Sequence, residues 1–169
     1  GLDNLRVYNK ATTTIKTFKI GDIVRFIGVN VNCMAKGSIG KVMQVMHING
    51  TALKVEWDLS STDEDGDNHW WVDTKDVELM GVVNDKTLPK NGDLVVIKDG
   101  FREDRVKNGV IGKVYQVHSD GSDYSWVECL LGDFKYIEPR KQDMPRIECD
   151  LPANCYCIGN FWLERLEPV

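Results

Sequence analysis

Apolar and polar positions alternate along this chain in short runs, and the runs are bounded by turn residues. In Ile23-Val24-Arg25-Phe26-Ile27, Val24 and Phe26 fall on one face, while Ile23, Arg25 and Ile27 fall on the other. That period of two is the mark of a strand. Val42 and Val45 belong to a short β-branched run bounded by glycine, also a strand signal. Gly37 and Gly40, like Gly109 and Gly112, sit just before strand-like runs. There glycine permits a positive φ or a tight bend that a side chain would block. Ile48-Asn49-Gly50-Thr51 and Ser119-Asp120-Gly121-Ser122 are sequences of the kind that join antiparallel strands. No segment carries a convincing helical period.

The runs also repeat. Gly21-Asp22-Ile23-Val24-Arg25-Phe26-Ile27 recurs as Gly92-Asp93-Leu94-Val95-Val96-Ile97-Lys98, and Gly37-Ser38-Ile39-Gly40-Lys41-Val42 recurs as Gly109-Val110-Ile111-Gly112-Lys113-Val114. Lys54-Val55-Glu56-Trp57 then matches Trp126-Val127-Glu128-Cys129. Both units close on an aromatic run, Trp70-Trp71-Val72 and Phe161-Trp162-Leu163, each followed by an apolar-acidic strand. A fixed order at near-equal spacing is the signature of duplication. Four or five short strands per copy, about the content of a small closed sheet, predict an all-β chain of two tandem antiparallel barrels. The expected boundaries are 1–81 for the first unit with an N-terminal arm, 82–91 for a linker, and 92–169 for the second unit. The second unit carries an insertion at about 137–159, with Pro139, Pro145, Pro152 and three of the five cysteines.

Charge changes the picture by its distribution rather than its sum. The 169 residues carry a formal net charge of −5, which at first argues against a phosphate-bearing partner. Residues 1–54, however, hold eight basic residues against two acidic ones, a balance of +6, while residues 55–80 hold nine acidic residues and one lysine, a balance of −8. A split this sharp makes local field more informative than the total. No apolar stretch is long enough to cross a membrane, and the first residues show no secretory pattern, so a cytoplasmic location is expected. Five cysteines without a secretory context read as reduced thiols.

The Gly-Asp-x-Val-x-Phe opening followed by Lys36-Gly37-Ser38-Ile39-Gly40-Lys41-Val42 resembles the KOW motif of SH3-like barrels, over roughly residues 21–57 and 92–129. That motif occurs in ribosomal proteins and in transcription elongation factors, and similar small proteins are encoded by bacteriophages. The resemblance implies tandem KOW/SH3-like barrels whose partners are nucleic acid, ribosomes or RNA polymerase. Two departures stand out. Lys107-Asn108-Gly109 replaces a more basic stretch, and the acidic run Asp63-Glu64-Asp65-Gly66-Asp67 is unusual for a nucleic-acid face.

Candidate chemistry follows from these placements. Lys19, Arg25, Lys36, Lys41 and Lys54 in the first unit, with Arg102, Arg105, Lys107 and Lys113 in the second, lie on the opening strands, the loops after them and adjacent strands. Cations so placed can contact phosphates without reading sequence, although ordinary solvated lysines would look the same. Trp71 and Trp162 read as core residues that recur in phase. Trp70, on the opposite face of its strand, reads as an outward indole able to stack on a base or receive a partner. Cys149, Cys155 and Cys157 have spacing too tight for the common zinc knuckle, so no metal or other cofactor is expected. No nucleophile elbow, phosphate loop or zinc-protease motif is present, so no enzymatic activity is expected. The leading expectation is a largely sequence-independent DNA-binding protein, duplex DNA before RNA, that modulates transcription or nucleoid organisation and is encoded by a phage. The alternative is a protein-interaction module that engages a host protein such as RNA polymerase or a nucleoid protein.

Overall fold

The computed structural model describes residues 17–29, 34–47, 50–58, 65–118, 123–143 and 148–169, and of 142, 143, 148 and 149 the backbone alone. The first sixteen residues of the expected arm, and Asp63 and Glu64 of the acidic run, lie outside these.

Twelve strands are formed among the described residues. In the first half they are β1 (Ile23–Phe26), β2 (Ile39–Met46), β3 (Ala52–Trp57), β4 (His69–Asp73) and β5 (Val77–Val82). In the second half they are β6 (Leu94–Ile97), β7 (Ile111–Val117), β8 (Tyr124–Leu131), β9 (Arg140–Asp143), β10 (Glu148–Leu151), β11 (Cys155–Gly159) and β12 (Leu163–Pro168). Two single 3-10 turns, Thr74–Asp76 and Asn160–Trp162, precede β5 and β12, and none of the described helices is long and apolar enough to cross a membrane. The chain is all-β and antiparallel. Ten strands form one curled sheet in the order β11-β8-β7-β6-β12-β5-β1-β2-β3-β4, and β9 pairs with β10 alone.

That order is its own mirror in the repeat. Reading outward from the centre, β5-β1-β2-β3-β4 matches β12-β6-β7-β8-β11, and the shared Gly-Asp segments make the same bonds in both halves. Gly21 N–H donates to the Val42 carbonyl at 2.8 Å, as Gly92 does to Val114 at 2.7 Å. Lys19 N–H donates to Asp22 Oδ2 at 2.9 Å, as Lys90 does to Asp93 at 2.8 Å. Aspartate recurs here because its side chain closes a turn that glycine, at φ of 93° and 90°, allows. The halves join through their last strands. Met80, Gly81 and Val82 pair with Pro168, Glu167 and Leu166, a register symmetric about Gly81 and Glu167. Val83 N–H to the Arg165 carbonyl and Val169 N–H to the Leu79 carbonyl, both 2.9 Å, are the outermost symmetric pair.

Each half buries one face of its strands in its own core. Val24, Phe26, Val42, Leu53, Val55, Trp57, Val72 and Val77 fill the first, with Phe26 edge-on to Trp57. Val95, Ile97, Val114, Val127, Tyr156, Ile158 and Leu163 belong to the second. The opposite face of the central strands builds a third core shared by both copies: Ile39 and Ile111, Met80 and Leu166, with Ile23 and Leu94 packed against them and Leu131 completing it. Burying apolar area on both faces of the central strands is what holds the halves together. The segment expected as a linker is fastened too, since Asp85 Oδ1 accepts from Arg165 Nη2 at 2.5 Å and Asn91 Oδ1 accepts from Val117 N–H at 2.7 Å.

Three sequence expectations change. The insertion ends earlier than spacing implied, because Cys155–Gly159 is the second-half counterpart of β4 and only β9 and β10 are extra. As a result Trp71 and Trp162 are not in phase. Trp162 lies in the 3-10 turn before β12, whereas β11 carries Tyr156, Cys157 and Ile158 where β4 carries Trp70, Trp71 and Val72. The faces of the doubled tryptophan are also exchanged. Trp70 shares the core side with buried Val72 and packs against the first core, while Trp71 points outward at 44% exposure.

Candidate nucleic-acid interface

Where the two halves meet on the loop side, they leave a cleft of about 730 Å³. The first half contributes Arg25 from β1, the Ala35-Lys36-Gly37-Ser38 turn before β2, and Asp58 just after β3. The second contributes Lys113 from β7, Glu128 from β8, Tyr136, and Ala153-Asn154 at the end of the extra hairpin. Each group is placed by the fold for a local reason. Gly37, at φ of 94°, turns the chain into β2 and leaves Lys36 on its outer side. Asp58 is buried because it closes the end of the β2–β3 pair: its Oδ2 accepts from Ile39 N–H and its own N–H donates to the Ile39 carbonyl, both at 2.8 Å. Lys113 stands directly across the strand pair from Glu128.

The electrostatics of the cleft are mixed. Arg25, Lys36 and Lys113 bring three positive charges, and Asp58 and Glu128 bring two carboxyls. Arg25 is committed within the fold, its Nε donating to Glu78 Oε1 at 2.6 Å across β1 and β5. Burial pushes the Glu128 carboxyl above the usual carboxylate range, Lys113 opposes that shift, and Asp58 adds to it. Tyr136 is 68% exposed at the margin of the cleft, an aromatic face with cations near it.

Of the nine basic residues expected to contact phosphate, Arg25, Lys36 and Lys113 meet at this cleft. The others do not line it. Lys41 stands opposite Glu56, as Lys113 stands opposite Glu128, and Lys54 stands beside Trp71 in the β3–β4 pair. Lys19 is exposed at the opening turn. Arg102, Arg105 and Lys107 lie together on the loop after β6, where their charge is partly offset. Arg105 pairs with Glu103 at 3.2 Å, Lys107 Nζ donates to the Glu103 carbonyl at 3.4 Å, and the Arg105 guanidinium lies 5.6 Å from the Tyr156 ring centre.

Asp58, Glu128 and Tyr136 also line the cleft, although the sequence pattern did not single them out. The recurring Val-Glu of Val55-Glu56 and Val127-Glu128 was a signal for the second of these, since a repeated carboxylate beside a repeated lysine strand points to a cross-strand pair. Tyr136 lies in a segment without a counterpart in the first half and left no such trace.

Three thiols lie among the described side chains, Cys129, Cys155 and Cys157. Cys129 and Cys155 are buried, and desolvation with the neighbouring Cys155 pushes the Cys129 thiol up to about 12. Cys157 is exposed, its Sγ 3.5 Å from His118 Nε2, and desolvation raises rather than lowers its pKa, so the thiolate is not favoured. Among the described residues, no three His, Cys, Asp or Glu side chains converge as a metal site would require. No protein-family model matches the chain, and no curated protein matches it in sequence.

Proposed function

We propose that this protein is a non-enzymatic, largely sequence-independent nucleic-acid-binding protein, with duplex DNA as the preferred ligand and transcription or nucleoid organisation as its setting. The observation that carries the reading is the cleft in which Lys36 of one copy and Lys113 of the other face a common opening, beside the exposed ring of Tyr136. Paired cations on a rigid sheet suit phosphate contacts, which position a duplex without reading its bases. Direct readout needs an element that enters a groove, and the described residues form no α-helix to do so. The mixed charge of the cleft fits modest affinity set by few phosphate contacts. The strand order of each half, with a 3-10 turn before its last strand, supports reading the halves as tandem SH3-like barrels of the KOW type. A phage-encoded modulator of transcription, of which MotB is a KOW-like example of about this size, is the kind of protein this reading describes.

Fluorescence titration with labelled duplex DNA, duplex RNA and single-stranded DNA tests the proposal. The expected order is duplex DNA tightest, with little change between unrelated sequences and marked weakening as salt rises. Absence of binding to every nucleic acid at low salt overturns it.

A further inference from the structure

The ten-stranded sheet ends at β4 on one side and at β11 on the other. The two edges are not alike. On β11 the Cys155 carbonyl, which points away from β8, accepts from Arg140 Nη2 at 2.6 Å, so the extra hairpin takes up one outward group of that edge. Position His69 on β4 corresponds to Cys155, and among the described residues the first half forms no such hairpin.

The bond pattern between β3 and β4 fixes which backbone groups face outward. Trp57 N–H donates to the Asn68 carbonyl at 2.8 Å and Thr74 N–H to the Thr51 carbonyl at 3.4 Å. Together with the register Val55 to Trp70 and Leu53 to Val72, this turns the amides of Trp70 and Val72 toward β3. Those of His69, Trp71 and Asp73 face away. The His69 N–H is taken by Asp67 Oδ1 at 2.9 Å. Among the described residues no backbone group pairs with the outward side of Trp71, whose indole is also exposed. An edge with an exposed aromatic and outward amides is a template for another strand.

We propose that the occupant is β4 of a second copy of this chain, paired antiparallel about a two-fold axis through Trp71. The sequence His69-Trp70-Trp71-Val72-Asp73 is self-complementary in that register. Trp71 meets its own copy as a hydrogen-bonded pair, with both indoles on one face. His69 meets Asp73 of the other chain. The acidic turn at Asp65 and Asp67 comes to the end of β4 where the other chain places Lys75, so opposite charges meet at both ends. The same geometry already exists within the chain, since β5 and β12 pair antiparallel about Gly81 and Glu167. A closed two-fold pairing also consumes the edge and leaves no template for further growth.

One strand pair is a small interface, so the dimer is expected to populate only above about 100 µM. Sedimentation equilibrium across a concentration series tests this without nucleic acid, and so independently of the proposed function. The expected result is a rise from the 19.2 kDa monomer toward twice that mass. Trp71→Lys, which places like charges on the axis, should hold the protein at monomer mass with an unchanged circular dichroism spectrum. In the wild type, hydrogen exchange at the Trp71 amide should slow as concentration rises. A monomer up to about 1 mM, a dimer indifferent to Trp71→Lys, or open-ended assembly beyond the dimer would each overturn the proposal.

Discussion

The two glycines of each Gly-x-x-Gly segment do different work, and alanine substitutions separate them. Gly37 has φ of 94° and nothing within 4 Å of an added Cβ, so Gly37→Ala meets only the left-handed backbone cost. That is about 1–2 kcal/mol. Gly40 has no positive φ, but its Cβ would lie 2.3 Å from Val55 Cγ1, 2.8 Å from Trp57 Cε3 and 3.0 Å from the Glu56 carbonyl oxygen. Val55 and Trp57 are fully buried and the carbonyl belongs to the paired strand, so none can step aside without moving β3. Overpacking of a rigid core costs about 1–3 kcal/mol, and a displaced strand pair puts Gly40→Ala at or above the top of that range. The second half repeats the contrast, with Gly109 at φ of 81° and open space, and Gly112 with Val127 Cγ1 at 2.6 Å and the Glu128 carbonyl oxygen at 2.7 Å. Urea denaturation followed by tryptophan fluorescence gives the difference directly. The expected ranking is Gly40→Ala and Gly112→Ala each more damaging than Gly37→Ala and Gly109→Ala. Equal costs within each pair would refute the close-approach argument.

Further outcomes follow from the shared core and the cleft. Leu166→Ala, in the core built by both copies, should cost about 2–5 kcal/mol and, because that core holds the halves together, should lower the stability of both as one transition by calorimetry. Glu128 binds its proton more tightly folded than unfolded, so its contribution to stability is greatest below the unfolded pKa and is lost as pH rises from there through the raised folded value. Glu128→Gln should flatten that decline in urea midpoints measured upward from about pH 4, the ordinary glutamate range. The same substitution removes a negative charge from the cleft and should tighten DNA binding in the titration assay, whereas the control Glu167→Gln, remote from the cleft, should not.

The strand content and the order of the repeat were legible because each rests on local chemistry. Gly21-Asp22 and Gly92-Asp93 encode a turn, and period-two runs encode a buried face. The face of Trp70 and Trp71 was not legible. Alternation says that neighbours point apart, but which one meets the core depends on the β3–β4 register that puts Val72 inward. The counterpart of β4 was obscured by the β9–β10 hairpin, which displaced Cys155–Gly159 from its expected distance. The cleft was beyond local reading altogether. Lys36 and Lys113 are brought near one opening by the pairing of β5 with β12, and nothing near either lysine encodes that contact.

The most direct test of the cleft as the nucleic-acid interface is the salt dependence of duplex DNA affinity in the wild type and in Lys36→Gln/Lys113→Gln. If both lysines contact phosphate, each neutralisation removes about 0.9 from the slope of log affinity against log salt, so the double variant should lose about 1.8 and bind more weakly on every sequence. An unchanged slope in a correctly folded double variant would contradict the account.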